Sequence, residues 1–153
     1  MKVHYSSNSN EWATPDYAFD KLKKRFNFTL DPCCTKETAR CKKFFTIKED
    51  GLIQDWSKDI SFVNPPYGRK IGLWVKKAYE ESQKGGIVVM LIPARTDTKY
   101  FEKYCTKASQ IIFITGRIKF VQGNNKSKPA PFPSCVVVFD KETTTPYIYW
   151  ERF

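Results

Sequence analysis

Apolar residues along this chain recur with two different periods, and the succession of the two predicts a sheet with connecting helices. Short runs bounded by polar residues read as strands: Ile60-Ser61-Phe62-Val63, Ile87-Val88-Val89-Met90-Leu91-Ile92 and Ser134-Cys135-Val136-Val137-Val138-Phe139. The continuous run at 87–92 fits a central parallel strand covered on both sides. Helical spacing appears in Ala18, Phe19, Leu22 and Phe26, and more clearly in Ile71, Trp74, Val75, Ala78 and Tyr79, with Gly85-Gly86 as the stop of the second helix. The first helix is expected over 15–26, with Thr14 as N-cap and Pro15 as first helical residue. Strands are also expected at 28–31, 44–47 and 110–114, and an edge strand at 147–150. Thr96 or Asp97 is expected to cap a third helix carrying Tyr100, Phe101 and Tyr104. Residues 117–121 alternate basic with apolar, and 122–133 reads as a loop rich in Gly, Asn, Lys and Pro. The pattern is that of an α/β fold.

Only 33 positions separate Asp31 from Asn64 (64 − 31), where two strand–helix units would normally stand. That interval leaves room for short strands or turns and little helix. Residues 1–10 are polar and read as a flexible arm, and 11–153 as one domain with no separate target-recognition domain.

Composition narrows the partners. With 26 Lys and Arg against 16 Asp and Glu, the net charge is +10, which favours a polyanion through phosphate contacts and counterion release. Five cysteines, two of them adjacent at Cys33 and Cys34, form no disulfide framework and point to a reducing cytoplasm. A single histidine, His4, and the absence of Cys-x-x-Cys spacing leave no expected metal site and no Ser-His or Cys-His nucleophile pair. No apolar run reaches membrane length, and the first ten residues have no signal-like apolar segment.

The chemistry converges on Asn64-Pro65-Pro66-Tyr67-Gly68, between the strand at 60–63 and the helix that follows. A strand end of an open α/β sheet is where ligands bind. Two prolines hold the backbone extended and leave carbonyls free as acceptors. The Asn64 side-chain oxygen and the Pro65 carbonyl suit the N–H groups of a planar amine whose ring stacks on Tyr67.

This box resembles the Asn/Asp-Pro-Pro-Tyr motif of the S-adenosylmethionine-dependent amino-methyltransferases. Joined to Glu11-Trp12-x-Thr14-Pro15, Leu30-Asp31-Pro32-Cys33, Asp50-Gly51-Leu52-x-x-Asp55-Trp56, Leu91-x-Pro93-Ala94-Arg95-Thr96-Asp97-Thr98 and Pro131-Phe132-Pro133-Ser134, it is similar to the compact phage-type DNA N6-adenine methyltransferases. The resemblance runs from about residue 11 to 139. It implies a Rossmann-like methyltransferase sheet, mostly parallel, with an antiparallel C-terminal hairpin and helices on both faces. It implies direct methyl transfer to a flipped-out adenine of double-stranded DNA, with Asn64, Pro65, Pro66 and Tyr67 as the catalytic box. Cofactor contacts fall by the same resemblance on Trp12, Thr14, Pro15, Asp31 and Pro32, with Asp50 and Asp55 as further acids after successive strands. No Gly-x-Gly follows Asp31, a departure from the common pattern. For DNA contact the basic residues at Arg69, Arg95, Arg117, Lys119, Lys126 and Lys128 are the candidates, and Phe132 is a candidate second stacking face. Arg95 could equally pair with an acid beside the pocket. RNA bases and protein glutamine carry planar amines too, and a nucleic-acid-binding protein that has lost cofactor binding is the alternative of another class.

Overall fold

The computed structural model describes residues 12–122, 126–143 and 145–153, with the side chains of Gln122 and Lys126 outside the description. The N-terminal arm expected at 1–10 therefore lies outside the described residues. In chain order the elements are α1 (Asp16–Lys23), β1 (Leu30–Asp31), β2 (Lys43–Phe44), β3 (Ile60–Val63), α2 (Ile71–Gln83), β4 (Ile87–Pro93), α3 (Lys99–Lys103), β5 (Gln110–Thr115), β6 (Lys119–Gln122), β7 (Lys126–Pro129), β8 (Ser134–Phe139) and β9 (Tyr147–Arg152).

Seven strands form one sheet in the order β2-β1-β3-β4-β8-β5-β9. The ladders β1·β2, β1·β3, β3·β4 and β5·β9 are parallel. Strand β8 alone runs against its neighbours β4 and β5. All six of its residues are buried, as are six of the seven in β4. The expected central strand is thus parallel to β3 on one side and antiparallel to β8 on the other.

Register separates the two faces, because directly paired residues point to the same side of a sheet. Phe62 pairs with Val89, which pairs with Val138. On this face α1 lies, Phe19 meeting Phe62 edge-on with ring centroids 5.0 Å apart. The opposite face carries Ser61, Val88 and Phe139, and α2 covers it, Tyr79 meeting Phe139 at 6.2 Å. Helices therefore flank both faces. The buried residues Ile71, Trp74, Val75 and Ala78 of α2 are those the helical spacing selects.

Three local expectations change. The first helix begins at Asp16 after Pro15, with no side-chain cap, because the Thr14 hydroxyl is bonded to Asn64 instead. The third helix is capped by Thr98, whose hydroxyl accepts from the Phe101 N–H, and not by the expected Thr96 or Asp97. The stretch 122–133 contains strand β7, which pairs antiparallel with β6 in a separate two-stranded sheet. The connection from β5 to β8 is thereby a hairpin standing off the main sheet.

Between β1 and β3 there is no α-helix. Residues Gly51–Ile53 form one 3-10 turn, and Gly51 lies so close to the loop after β1 that a Cβ there would meet the Pro32 carbonyl oxygen at 2.0 Å. Trp56 donates its indole N–H to the Gly51 carbonyl at 2.9 Å and its backbone N–H to the buried Glu81 carboxylate of α2 at 2.8 Å. The Asp-Gly-Leu-x-x-Asp-Trp segment thus braces the Asp31-Pro32 turn against α2.

Candidate active site

Strand β3 ends at Val63, and the next residue points its amide toward the chain's own beginning. Asn64 Nδ2 donates to the Trp12 carbonyl at 2.5 Å and to Thr14 Oγ1 at 2.9 Å. A backbone carbonyl accepts only, so the atom facing Trp12 must be nitrogen, and the amide cannot be turned over. The other atom, Asn64 Oδ1, is buried and has no partner among the described residues. A buried carbonyl oxygen without a donor costs about 1–3 kcal/mol. Such a cost at one oriented atom marks a place where an incoming donor is welcome. The Pro65 carbonyl likewise receives no hydrogen bond among the described residues.

Beside this amide opens a cavity of about 480 Å³, lined by Trp12, Ala13, Thr14 and Asp16 from one side, Asn64, Pro65 and Pro66 from another, and the loop from Asp31 to Arg40 as its floor and wall. Its volume lies in the range of about 300–1,000 Å³ typical of small-molecule sites. Asp31, at the end of β1, is 3% exposed. Its two oxygens accept from the backbone N–H of Cys33 at 3.4 Å and of Arg40 at 3.0 Å. Burial nevertheless outweighs these bonds and raises its carboxyl to about 6. The turn that follows Asp31 reaches this geometry without glycine, because Gly51 of the neighbouring segment makes the room beneath Pro32.

Arg40 ties the walls together. Its guanidinium donates to Asp16 Oδ1 at 2.7 Å and to the Thr14 carbonyl, and lies over the Phe19 ring at 5.0 Å. Nothing local in the sequence announces this role, since its partners stand 9 to 26 positions away. Cys33, Cys34, Thr35, Glu37 and Thr38 also line the cavity and were missed; the strand-end acid before them was the available signal. The Cys34 thiol is not poised as a nucleophile, since burial pushes it up.

The structure brings Trp12, Thr14, Asp31, Asn64, Pro65 and Pro66 to one cavity. Pro15 and Pro32 are buried beside it in sequence. Asp50 and Asp55 do not line it. Asp50 accepts from the Leu52 N–H at 3.1 Å and Asp55 from the Ser57 N–H at 2.8 Å, so each closes its own turn. Tyr67 is 5% exposed and donates its hydroxyl proton to the Leu91 carbonyl at 3.1 Å. Phe120 and Phe132 stand edge-on to its ring at 6.1 and 5.5 Å, and Trp12 meets both. Four aromatic rings close over the box, leaving no open slot between Tyr67 and Phe132.

Around that cluster the cations are outward. Arg95 lies over the Phe132 ring at 5.9 Å and is exposed, as are Arg69, Arg117, Lys119 and Lys128. In the 117–121 stretch Ile118 and Phe120 face inward, and Val121 bonds Ala13 in both directions at 3.2 and 3.0 Å. The Lys126 side chain lies outside the described residues. Among the described residues no group of three or more metal-ligating side chains comes together, and no helix is long and apolar enough to cross a membrane.

This geometry coincides with a family pattern over almost the whole chain. The family model described as DNA N-6-adenine-methyltransferase (Dam) matches residues 3–151. A DNA N-6-adenine-methyltransferase of Haemophilus phage HP1 is 30% identical over 152 residues, covering 92% of this chain and 83% of the relative. A DNA N-6-adenine-methyltransferase of Escherichia phage T1 is 30% identical over 129 residues, 73% of this chain and 54% of that longer protein. The putative methyltransferase YfdM of Escherichia coli is 34% identical over 65 residues, 38% of this chain and 71% of the relative. With an Asn-Pro-Pro-Tyr box at the end of β3, a buried acid at the end of β1 and this extent of similarity, the chain belongs to the adenine-specific DNA methyltransferases of the Dam family.

Proposed function

We propose that the protein transfers a methyl group from S-adenosylmethionine to N6 of an adenine flipped out of double-stranded DNA, with residues 11–153 acting as one catalytic domain behind an arm at 1–10. The observation that carries this reading is the Asn64 amide. Both its N–H groups are engaged and its oxygen is buried without a donor among the described residues, on the wall of a cavity that also holds a buried carboxylate. The cavity suits the cofactor: Asp31 would accept from its polar N–H or O–H groups, and the pocket's apolar walls, Phe62 and Pro65 among them, would take its remainder.

S-adenosylmethionine supplies an electrophilic methyl group on a sulfonium. The remaining work belongs to the chain. Asn64 Oδ1 and the Pro65 carbonyl accept the two N–H groups of the exocyclic amine and draw its lone pair out of the ring. That favours the tetrahedral nitrogen of the transition state over the planar ground state; as the N–C bond formed, the methyl–sulfur bond would break, the thioether would leave, and the surplus N6 proton would pass to water. Tyr67, tethered to Leu91, forms the fixed wall, and the Phe132 side, carried on 129–133, gives way to admit the base. Flipping costs a few kcal/mol of unpairing, which phosphate contacts by Arg69, Arg95, Arg117, Lys119, Lys126 and Lys128 help offset. The five free cysteines and the phage relatives support a host cytoplasm as the place of action.

The test is nucleoside mass spectrometry on adenine-unmethylated duplex DNA incubated with the protein and isotopically labelled S-adenosylmethionine, with Asn64→Ala in parallel. Labelled N6-methyladenine is expected with wild type, and a rate at least about a hundredfold lower with the variant. Label in RNA or protein but not in DNA would replace the substrate. Full activity of Asn64→Ala would overturn the mechanism.

A further inference from the structure

The Asn64 amide works as an acceptor only while its nitrogen is held away from the substrate. We infer that Thr14, on the strap formed by residues 12–14, is a positioning residue for Asn64 rather than a ligand of the cofactor. This inference rests on the function proposed above and assigns the Thr14 hydroxyl a different partner from the one the family resemblance implies.

Four observations converge. Thr14 is 5% exposed, and its Oγ1 accepts from Asn64 Nδ2 at 2.9 Å. The Trp12 carbonyl takes the second N–H of the same amide, so the strap occupies both donors and only Oδ1 remains. The strap itself is fixed from two sides. Ala13 exchanges two backbone hydrogen bonds with Val121 of β6, at 3.2 and 3.0 Å, and the Thr14 carbonyl accepts from the Arg40 guanidinium.

The chemical consequence is specific. An asparagine presenting its NH2 group to an exocyclic amine would place donor against donor. A single acceptor opposite the NH2 still permits rotation about the Cβ–Cγ bond; two acceptors on a braced strap do not. Thr14 therefore contributes to the rate without touching the reacting atoms, through the pre-set orientation of the one oxygen that does. Because the strap is bonded to β6, whose Lys119 faces outward, the amide's orientation is tied to the same hairpin that the function above places on DNA.

The experiment compares wild type, Thr14→Val and Thr14→Ser at saturating labelled S-adenosylmethionine and duplex DNA, with the dissociation constant for S-adenosylhomocysteine measured by calorimetry on each. Valine keeps the shape and removes the acceptor; serine keeps the acceptor. For Thr14→Val, kcat is expected to fall about tenfold to a hundredfold, while the S-adenosylhomocysteine affinity stays within about twofold. Thr14→Ser should recover the rate lost in the valine variant to within about threefold of wild type. A tenfold weaker S-adenosylhomocysteine affinity with kcat preserved at saturation would make Thr14 a cofactor ligand and overturn the inference, as would a Thr14→Val enzyme of wild-type kcat. Should the valine variant not fold, the Asn64 side-chain NH2 resonances of the wild-type protein decide. Slowed exchange and hydrogen-bonded shifts at both protons are expected, and shifts of a free amide would overturn the assignment. No labelled N6-methyladenine in DNA with the wild-type protein would instead refute the function itself, whatever Thr14 does.

Discussion

Asp31 shows how a buried acid beside the cavity is kept at a cost to the fold. Its carboxyl is raised from an ordinary value near 3.8 to about 6, chiefly by burial, against the hydrogen bonds from the Arg40 and Cys33 N–H groups. The folded state therefore binds the proton more tightly than the unfolded chain does. Between roughly pH 4 and 6 the native protein holds more protons, so this residue's stabilising share is full below pH 4 and is lost as pH rises through 6. Cofactor affinity should run the other way, because an ionised carboxylate is the better acceptor: S-adenosylhomocysteine binding is expected to weaken several-fold from pH 7.5 to 5.5. Calorimetry across that range checks it, and Asp31→Asn should abolish both slopes. A wild-type affinity flat with pH would remove Asp31 from the cofactor contact. Among single residues, Asn64 was legible because its motif is contiguous. Asp50 and Asp55 looked alike as strand-end acids, and only their bonds to Leu52 and Ser57 show each spent on its own turn.

At the scale of elements, the β6–β7 hairpin has one apolar and one cationic side. Its apolar side, Ile118 and Phe120, is buried, and Phe120 packs in the aromatic cluster with Tyr67, Phe132 and Trp12. Arg117, Lys119 and Lys128 stay exposed. Replacing Lys119 and Lys128 together by Gln should weaken duplex binding at low salt and lower the slope of log affinity against log salt by about 0.9 for each phosphate contact removed, with little change in thermal stability. Filter-binding or anisotropy titrations at several salt concentrations measure this, and an unaltered slope would place the DNA elsewhere. The alternation at 117–121 is read from the sequence only as basic against apolar residues in the connection from 114 to 134, and the structure makes it strand β6. The partner strand at 126–129 had not shown itself, because lysine, serine and proline carry no periodic burial to detect.

Across the whole molecule, α1 spans from the cavity to the far edge of the sheet. Asp16 lines the cavity at its first turn, while just beyond its last, Arg25 joins Lys21 on the Glu151 carboxylate of β9, Lys21 at 3.2 Å. Glu151 is held below the usual carboxylate range, first by its hydrogen bond from Arg25. Removing it as Glu151→Ala should cost about 1 kcal/mol, since the pairs are partly solvated, and lower Tm by roughly 2–4 °C. S-adenosylhomocysteine affinity is expected to hold within about twofold. A larger loss of affinity than of stability would show that the edge strand and the cavity are coupled through α1.

What the linear chain determined by itself is whatever burial writes locally. The apolar runs at 60–63, 87–92 and 134–139, the helical stripe of α2 and the contiguous box at 64–68 each record which side of an element meets the core or a ligand. Direction and pairing are another matter. Whether 134–139 would lie parallel or antiparallel depends on the path of the hairpin before it, and a fully buried strand reads the same either way. Which Asn64 atom is oxygen and faces the cavity's side depends on a carbonyl 52 positions earlier and a hydroxyl 50 positions earlier, which hold the amide nitrogen. The glycine that gives the Asp31 turn its room stands at Gly51, on a different segment. Hydrogen bonds and close approaches between distant segments leave no periodicity behind, and for that reason only the tertiary structure decided which atoms of a recognisable motif are spent and which remain to act.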